Sequence, residues 1–148
     1  MPRNSPDIKK IKEYAMSEKK TAGDLVNAAM QEIETISVDE ARSLQDKGEA
    51  VLIDIRESGE RVHHGKVPGA LSVPRGVLEF WIDPQSPYHK PELATGKKLV
   101  LFCAAAGRSA LAAKSLQDMG YPNVAHIAGG FSAWAEAGAP VEKGEYDS

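Results

Sequence analysis

A continuous apolar run from Leu99 to Phe102 ends on the chain's single cysteine, Cys103, and then passes through three alanines and a glycine to Arg108 and Ser109. A run without polar alternation predicts a strand buried on both faces, as in a parallel sheet. Leu111, Ala112 and Leu116 then recur at helix spacing. A cysteine at the end of a parallel strand, before a tight loop that opens a helix, lies where successive backbone N–H groups converge on one atom. The unpaired amides of the helix start and the positive end of its dipole favour an anion there, and Arg108 adds a full charge five positions on. Ala104, Ala105, Ala106 and Gly107 carry no side chain that would keep the backbone from closing round the sulfur; Gly107 is free to take a positive φ, and Ser109 offers a hydroxyl donor. A lone cysteine also fits a buried structural thiol, since free cysteine packs as a small hydrophobe. The small-residue run, the arginine at a fixed offset and the strand-to-helix setting weigh towards a reactive thiol.

The loop Cys103-Ala-Ala-Ala-Gly-Arg-Ser109 resembles the active-site loop of rhodanese-domain sulfurtransferases. Leu52-Ile-Asp-Ile-Arg-Glu57, followed by Gly65-Lys-Val-Pro-Gly-Ala70 and Leu71-Ser-Val-Pro74, is similar to that family's two upstream signatures, and Ala128-Gly-Gly-Phe-Ser-Ala-Trp134 to its closing one. The resemblance spans residues 36–141. It implies an α/β fold: an open parallel sheet of about five strands with helices on both faces, here preceded by an N-terminal helical extension. It further implies that Cys103 carries a sulfane sulfur as a persulfide, held by the amides of residues 104–109, and that Asp54 and Arg56 chiefly hold the loops around the site. The implied cycle has two halves. Cys103 thiolate attacks the outer sulfur of a donor such as thiosulfate, releasing sulfite; an acceptor thiolate or cyanide then takes the terminal sulfur. A protein thiol is a further candidate acceptor. No cofactor is required, and Arg75 is a candidate second cation for an anionic donor.

Two rival readings stand beside this one. Phosphatases and arsenate reductases related to this fold cradle a phosphoryl group in a cysteine-x5-arginine loop, and here only four residues separate Cys103 from Arg108. A shorter ring of amides suits one extra sulfur atom better than three equatorial oxygens. The third reading is a non-catalytic binding module that uses the aromatic segment from Phe80 to Tyr88.

The chain has 148 residues, which predicts one domain able to bury about 68 to 70% of its unfolded surface. Its 18 basic and 21 acidic residues are interspersed, giving a formal net charge of -3 and no broad basic face for nucleic acid. Lys9, Lys10, Lys12, Lys19 and Lys20 cluster early and read as a solvated helix face. A single cysteine, no secretory apolar region near Met1 and no apolar stretch approaching 18 residues lead to the expectation of a cytoplasmic protein with no membrane partner. Nothing in the pattern specifies an oligomeric state.

Three segments are expected: an N-terminal helical extension over 1–30, a catalytic domain over 31–142 and a polar tail over 143–148, with fraying from Glu142 on. Residues 1–6 read as disordered, 7–16 as an amphipathic helix, and a second helix is capped by Thr21 with Asp24 in its first turn. An edge strand at 34–37 precedes a helix over 38–45 opened by Ser37 and Glu40 and ended by Gly48. A buried strand follows at 50–55, then a helix over 75–83 with Val77, Leu78, Trp81 and Ile82 inward. A proline-rich loop fills 83–91. A helix over 110–119, a strand over 124–127, a Gly129-Gly130 turn and a helix over 131–137 that buries Trp134 complete the pattern. Arg75, Phe80, Tyr88 and His89 are the candidates for a substrate entrance. His63, His64, His89 and His126 lack partners at ligand spacing, so no metal is assigned.

Overall fold

The apolar run is the middle of a sheet. In the computed structural model, which describes residues 7–16 and 19–146, Lys98–Phe102 forms β4, flanked by β2 (Ala50–Asp54) and β5 (Val124–Ile127). β1 (Glu34–Ile36) pairs outside β5, and the short β3 (Leu71–Ser72) outside β2. All pairings are parallel and the order is β1-β5-β4-β2-β3. Parallel strands need crossovers, and these place helices on both faces. Alternate residues of β4 therefore enter different cores: Val100 and Phe102 join Leu52, Ile127 and Trp134, whereas Leu99 and Leu101 join Ile53, Ile82 and Leu116. The alternation continues past the strand end, so Cys103 falls on the Leu99 and Leu101 side.

The crossover helices follow their caps. α3 (Val38–Asp46) starts where Ser37 Oγ accepts the Glu40 amide at 3.1 Å, and Gly48 turns the chain after it at a positive φ of 68°. In the extension, α1 (Ile8–Met16) leaves Ile8, Ile11 and Tyr14 exposed. α2 (Ala22–Met30) is opened by a reciprocal capping box in which Thr21 and Asp24 side chains each accept the other's amide at 3.0 Å. α2 packs on α6 (Gly107–Asp118), burying Ala29. The disorder expected for residues 1–6 falls outside the described residues.

Four expectations need correction. α4 (Ser58–His64) was not foreseen at all. The helix expected over 75–83 is a 3-10 turn, Arg75–Val77, leading into the short α5 (Leu78–Ile82); Leu78 and Ile82 are buried, while Val77 and Trp81 are only half-buried. α6 begins three residues early, so the helix expected to start at Ala110 opens inside the cysteine loop at Gly107. The tail is not frayed where it is described. Lys66 and Glu142 form an antiparallel bridge, and Gly144 is buried against the Arg61 backbone, where a side chain would overlap the carbonyl.

Two devices hold the carboxyl edge of the sheet. Arg56 and Asp54 form a buried pair: Arg56 Nε donates to Asp54 Oδ1 at 3.0 Å, and one terminal nitrogen donates to Asp54 Oδ2 at 2.8 Å and to the Gly65 carbonyl at 2.9 Å. The same guanidinium lies 4.0 Å from the Phe131 ring centroid. The second device is the start of α7 (Gly130–Glu136), whose Phe131 and Ser132 amides donate to the carbonyls of Cys103 and Ala104 at 2.8 and 3.0 Å. Gly130 sits at φ 58°, and a Cβ there would overlap the carbonyl oxygens of Cys103 and Ala105.

Each device gives a prediction. Asp54→Ala strands a buried guanidinium and is expected to cost about 3 to 5 kcal/mol in urea unfolding. Gly130→Ala is expected to cost about 1 to 3 kcal/mol through overpacking and to shift amide resonances in the Cys103 loop, visible in a backbone NMR spectrum. Unchanged loop resonances would show that Gly130 does not set the loop's position.

Candidate active site

The loop from Cys103 to Ala106 connects β4 to α6, and its peptide orientation is set by what accepts and donates around it. A trans peptide points its N–H opposite its carbonyl. With the Cys103 and Ala104 carbonyls engaged by α7, the amides of Ala104 and Ala105 face away from that helix. Ala106 turns the chain at φ -147° and ψ -11°, and its carbonyl accepts the Ala110 amide at 2.9 Å, the first bond of α6. Among the described residues, the amides of Ala104 through Ser109 donate to no protein acceptor. Six consecutive unpaired donors, three of them at a helix start with its positive dipole end, directly follow the one thiol in the chain.

The residues singled out by sequence distribute unevenly around it. Cys103 is 1% exposed. Ala104 lines a cavity of about 350 Å³ together with Arg56, Glu60, His64, Phe131, Ser132 and Ala135. Gly107 does not use its conformational freedom; it is the first residue of α6, with Val26 of α2 lying 3.8 Å from where its Cβ would be. The Ser109 hydroxyl does not serve as a spare donor to the thiol: Oγ donates to the Ala106 carbonyl at 3.1 Å and lies 2.8 Å from Nδ1 of the buried His126.

Arg108 is held by Glu60, a residue the sequence reading missed. Its two terminal nitrogens donate to the two carboxylate oxygens at 2.8 and 2.7 Å. Those hydrogen bonds bring the Glu60 carboxyl from its ordinary 4.5 down to about 2. Arg108 is in turn held above its usual range, chiefly by the Glu60 hydrogen bond, with the Cys103 sulfur contributing a smaller attraction and so marking the guanidinium as its neighbour. α4 exists to deliver this carboxylate. Its first turn is closed by the Glu60 side chain, which accepts the Glu57 amide at 2.8 Å, and buried Arg61 donates to the Arg56 carbonyl at 2.9 Å.

Arg75 does not join the loop. It donates to both oxygens of Glu79 at 2.8 and 3.0 Å, and Ser115 Oγ donates to the same carboxylate at 2.6 Å. Burial raises the Glu79 carboxyl, but the hydrogen bonds from Ser115 and Arg75 outweigh it and leave the group below its ordinary value. The second cation expected from sequence is therefore already neutralised by Glu79. Phe80 and Tyr88 are exposed, and His89 Nδ1 is 3.0 Å from the Trp81 carbonyl; none of them lines the cavity beside the loop. Among the described residues no three His, Cys, Asp or Glu side chains gather as a metal set, and no helix is long and apolar enough to cross a membrane.

A buried thiol at the end of a parallel strand is followed by a run of unpaired amides and has the Arg108 guanidinium as a neighbour, a set of groups that favours negative charge. Comparisons with known proteins agree with that architecture. A human protein named thiosulfate:glutathione sulfurtransferase is 36% identical over 109 residues, covering 69% of this chain and 93% of its own. A sulfurtransferase of Allochromatium vinosum is 30% identical over 101 residues, covering 68% of this chain and 86% of its own. Among solved structures, a Rhodopseudomonas palustris protein of unknown function, described as a possible tyrosine phosphatase, superposes with a TM-score of 0.81 at 47% identity, covering 86% of this chain and 98% of its own. The polysulfide-sulfur transferase homodimer of Wolinella succinogenes gives 0.62 at 31% identity, covering 80% of this chain and 84% of its own. The family described as Rhodanese-like domain matches residues 37–137, and with the parallel sheet and cysteine loop in place the chain belongs to that family.

Proposed function

We propose that this protein is a sulfurtransferase that carries a sulfane sulfur as a persulfide on Cys103. The observation that carries the reading is the unbroken row of amides from Ala104 to Ser109 with no acceptor among the described residues, beside the chain's one thiol. In the first half-reaction Cys103 thiolate attacks the outer sulfur of thiosulfate or a related donor. A new S–S bond forms, the donor's own S–S bond breaks, and sulfite departs with the electron pair. The terminal sulfur then bears the negative charge, and the amides of Ala104, Ala105, Ala106, Gly107, Arg108 and Ser109 hold it. In the second half-reaction an acceptor thiolate or cyanide attacks that sulfur and Cys103 leaves as the thiolate. The named activity of the human relative supports a small thiol such as glutathione as acceptor. A chain with one cysteine needs the thiol reduced at the start of each cycle, which suits a reducing compartment such as the cytoplasm.

Asp54 and Arg56 act by fixing the loops. Arg108, tied to Glu60, orients one edge of the ring and partly offsets the developing charge. The phosphatase description of the Rhodopseudomonas palustris neighbour favours a second reading. The loop length weighs against it, because four residues between Cys103 and Arg108 leave one amide fewer than a phosphoryl cradle uses.

Intact mass separates these readings. After thiosulfate the protein is expected to gain the mass of one sulfur, lose it on adding cyanide, and gain nothing as Cys103→Ser. An unmodified wild-type mass together with turnover of an aryl phosphate would replace this reading with the phosphatase one. No adduct, no phosphatase turnover and intact partner capture by Cys103→Ser would point to a binding module. The ion pair gives a pH test. A carboxyl whose pKa is depressed by folding contributes stability above its unfolded value and loses it as pH falls through the folded one. The stability gap between wild type and Glu60→Gln is therefore expected to be constant above 4.5 and to close as pH falls from 4.5 towards 2, as read by urea unfolding across that range.

A further inference from the structure

Resting on the sulfur-carrier reading, we propose that Thr35, His126 and Ser109 form a buried hydrogen-bond relay that positions the C-terminal half of the amide ring, with His126 as the positioning residue. His126 lies in β5, paired in register with Thr35 of β1 on one side and Leu101 of β4 on the other, and is completely buried. Its two ring nitrogens are both occupied: Nε2 is 2.9 Å from Thr35 Oγ1, and Nδ1 is 2.8 Å from Ser109 Oγ. Ser109 Oγ in turn donates to the Ala106 carbonyl at 3.1 Å.

Proton accounting fixes the direction of the chain. Ser109 has one hydroxyl hydrogen, and it lies on the Ala106 carbonyl. The Ser109 oxygen must then accept from His126, so Nδ1 carries the ring proton. Burial lowers the His126 pKa and keeps the ring neutral, so Nε2 is bare and accepts from the Thr35 hydroxyl. With the proton on Nε2 instead, the single Ser109 hydrogen would go to Nδ1, and the Ser109 and Ala106 oxygens would face each other with no hydrogen between them. Only the Nδ1–H tautomer satisfies all three contacts.

The end of the relay is the peptide that matters. Ala106 is the N-cap of α6 but has no side chain with which to cap it, and its backbone lies outside the helical region. Its carbonyl is fixed by two donors, the Ala110 amide at 2.9 Å and Ser109 Oγ. Fixing that carbonyl fixes the Gly107 N–H on the opposite side of the same peptide, away from the helix body. Three strands of sequence, at residues 35, 126 and 106–109, are thereby joined so that the ring keeps its shape as charge arrives on the terminal sulfur.

The experiment measures the single-turnover rate of sulfur loading on Cys103 at saturating thiosulfate, alongside thermal unfolding, for His126→Leu, His126→Asn, Ser109→Ala and the His126→Leu/Ser109→Ala double variant. Asn keeps a donor where Nδ1 stands. His126→Leu and Ser109→Ala are each expected to load about tenfold more slowly or worse, with the donor concentration for half-maximal rate little changed. The double variant is expected to be no slower than the worse single, as for two members of one unit. His126→Asn is expected to recover part of the rate. On the wild-type protein, long-range ¹H–¹⁵N correlation is expected to show the Nδ1–H tautomer, a readout that needs no activity and no variant. An Nε2–H ring, wild-type loading by His126→Leu, or multiplying losses in the double variant would each overturn the proposal. Should His126→Leu fail to fold, Ser109→Ala and the tautomer decide it. An absence of loading in the wild type, with the Nδ1–H tautomer seen, would sink the sulfur-carrier reading and leave the relay standing as a loop-fixing device.

Discussion

A peptide plane that shows its N–H to one side must show its carbonyl to the other, and the cysteine loop depends on this. A row of donors can converge on a small volume only if the matching carbonyls have partners outside it. α7 supplies those partners for Cys103 and Ala104, and α6 and Ser109 supply them for Ala106. The close approach needs Gly130, because any Cβ would collide with the loop's carbonyls. The Gly129-Gly130 turn and the cysteine loop are thus one structural object made from two separate stretches of chain, carried on adjacent strands β5 and β4. The parallel sheet matters for the same reason: it brings the ends of β2, β4 and β5 to a common edge.

Around that object, the side-chain charges largely cancel. Arg56 is answered by Asp54 and Arg108 by Glu60, at 2.8 and 2.7 Å. The uncompensated positive potential is that of the backbone amides. Recognition resting on fixed dipoles differs from recognition by a mobile lysine or arginine. It costs no side-chain entropy when charge arrives, and it selects by size because the ring cannot expand. Arg108 sits where both effects meet, since its bidentate grip on Glu60 denies it the freedom to follow a large anion outward.

The features legible in the sequence were those encoded locally. The apolar run of β4, the Thr21 and Ser37 caps and the Gly48 stop each act through neighbours within a few positions, and the structure places them as their chemistry demands. What the sequence hid depends on distant partners. α4 carries no apolar periodicity, since its buried residue is Arg61, solvated inside the fold by the Arg56 carbonyl, so a hydrophobic pattern search passes over it. Glu60 went unread with it. Arg75 and Glu79 stand four apart in the segment expected to be helical, so their pairing was legible from i,i+4 spacing and was overlooked, whereas the Ser115 hydroxyl that joins them comes from a distant element. His126 stood out in the sequence only as a histidine without partners at ligand spacing, and the strand register that sets it between Thr35 and Ser109 is a property of the whole sheet. The tail is held by a bridge to Lys66, which no local pattern announces.

The burial of Cys103 and its proposed reactivity come from one cause. An apolar surrounding disfavours an unpaired thiolate, and Cys103 packs among Leu99, Leu101 and Ile53. The same low-dielectric setting strengthens every amide dipole aimed at the sulfur, so the surroundings that penalise a bare charge also make the ring effective in holding one. In the proposed persulfide the terminal sulfur would carry the charge one bond beyond the thiol. Entry has to occur at the rim, where Ala104 lines the cavity and the Arg108 and Glu60 side chains are still 41% and 29% exposed. On the proposed cycle, a small reactant would meet this polar, partly open edge before the buried sulfur, and that order would limit exchange of the persulfide with passing thiols.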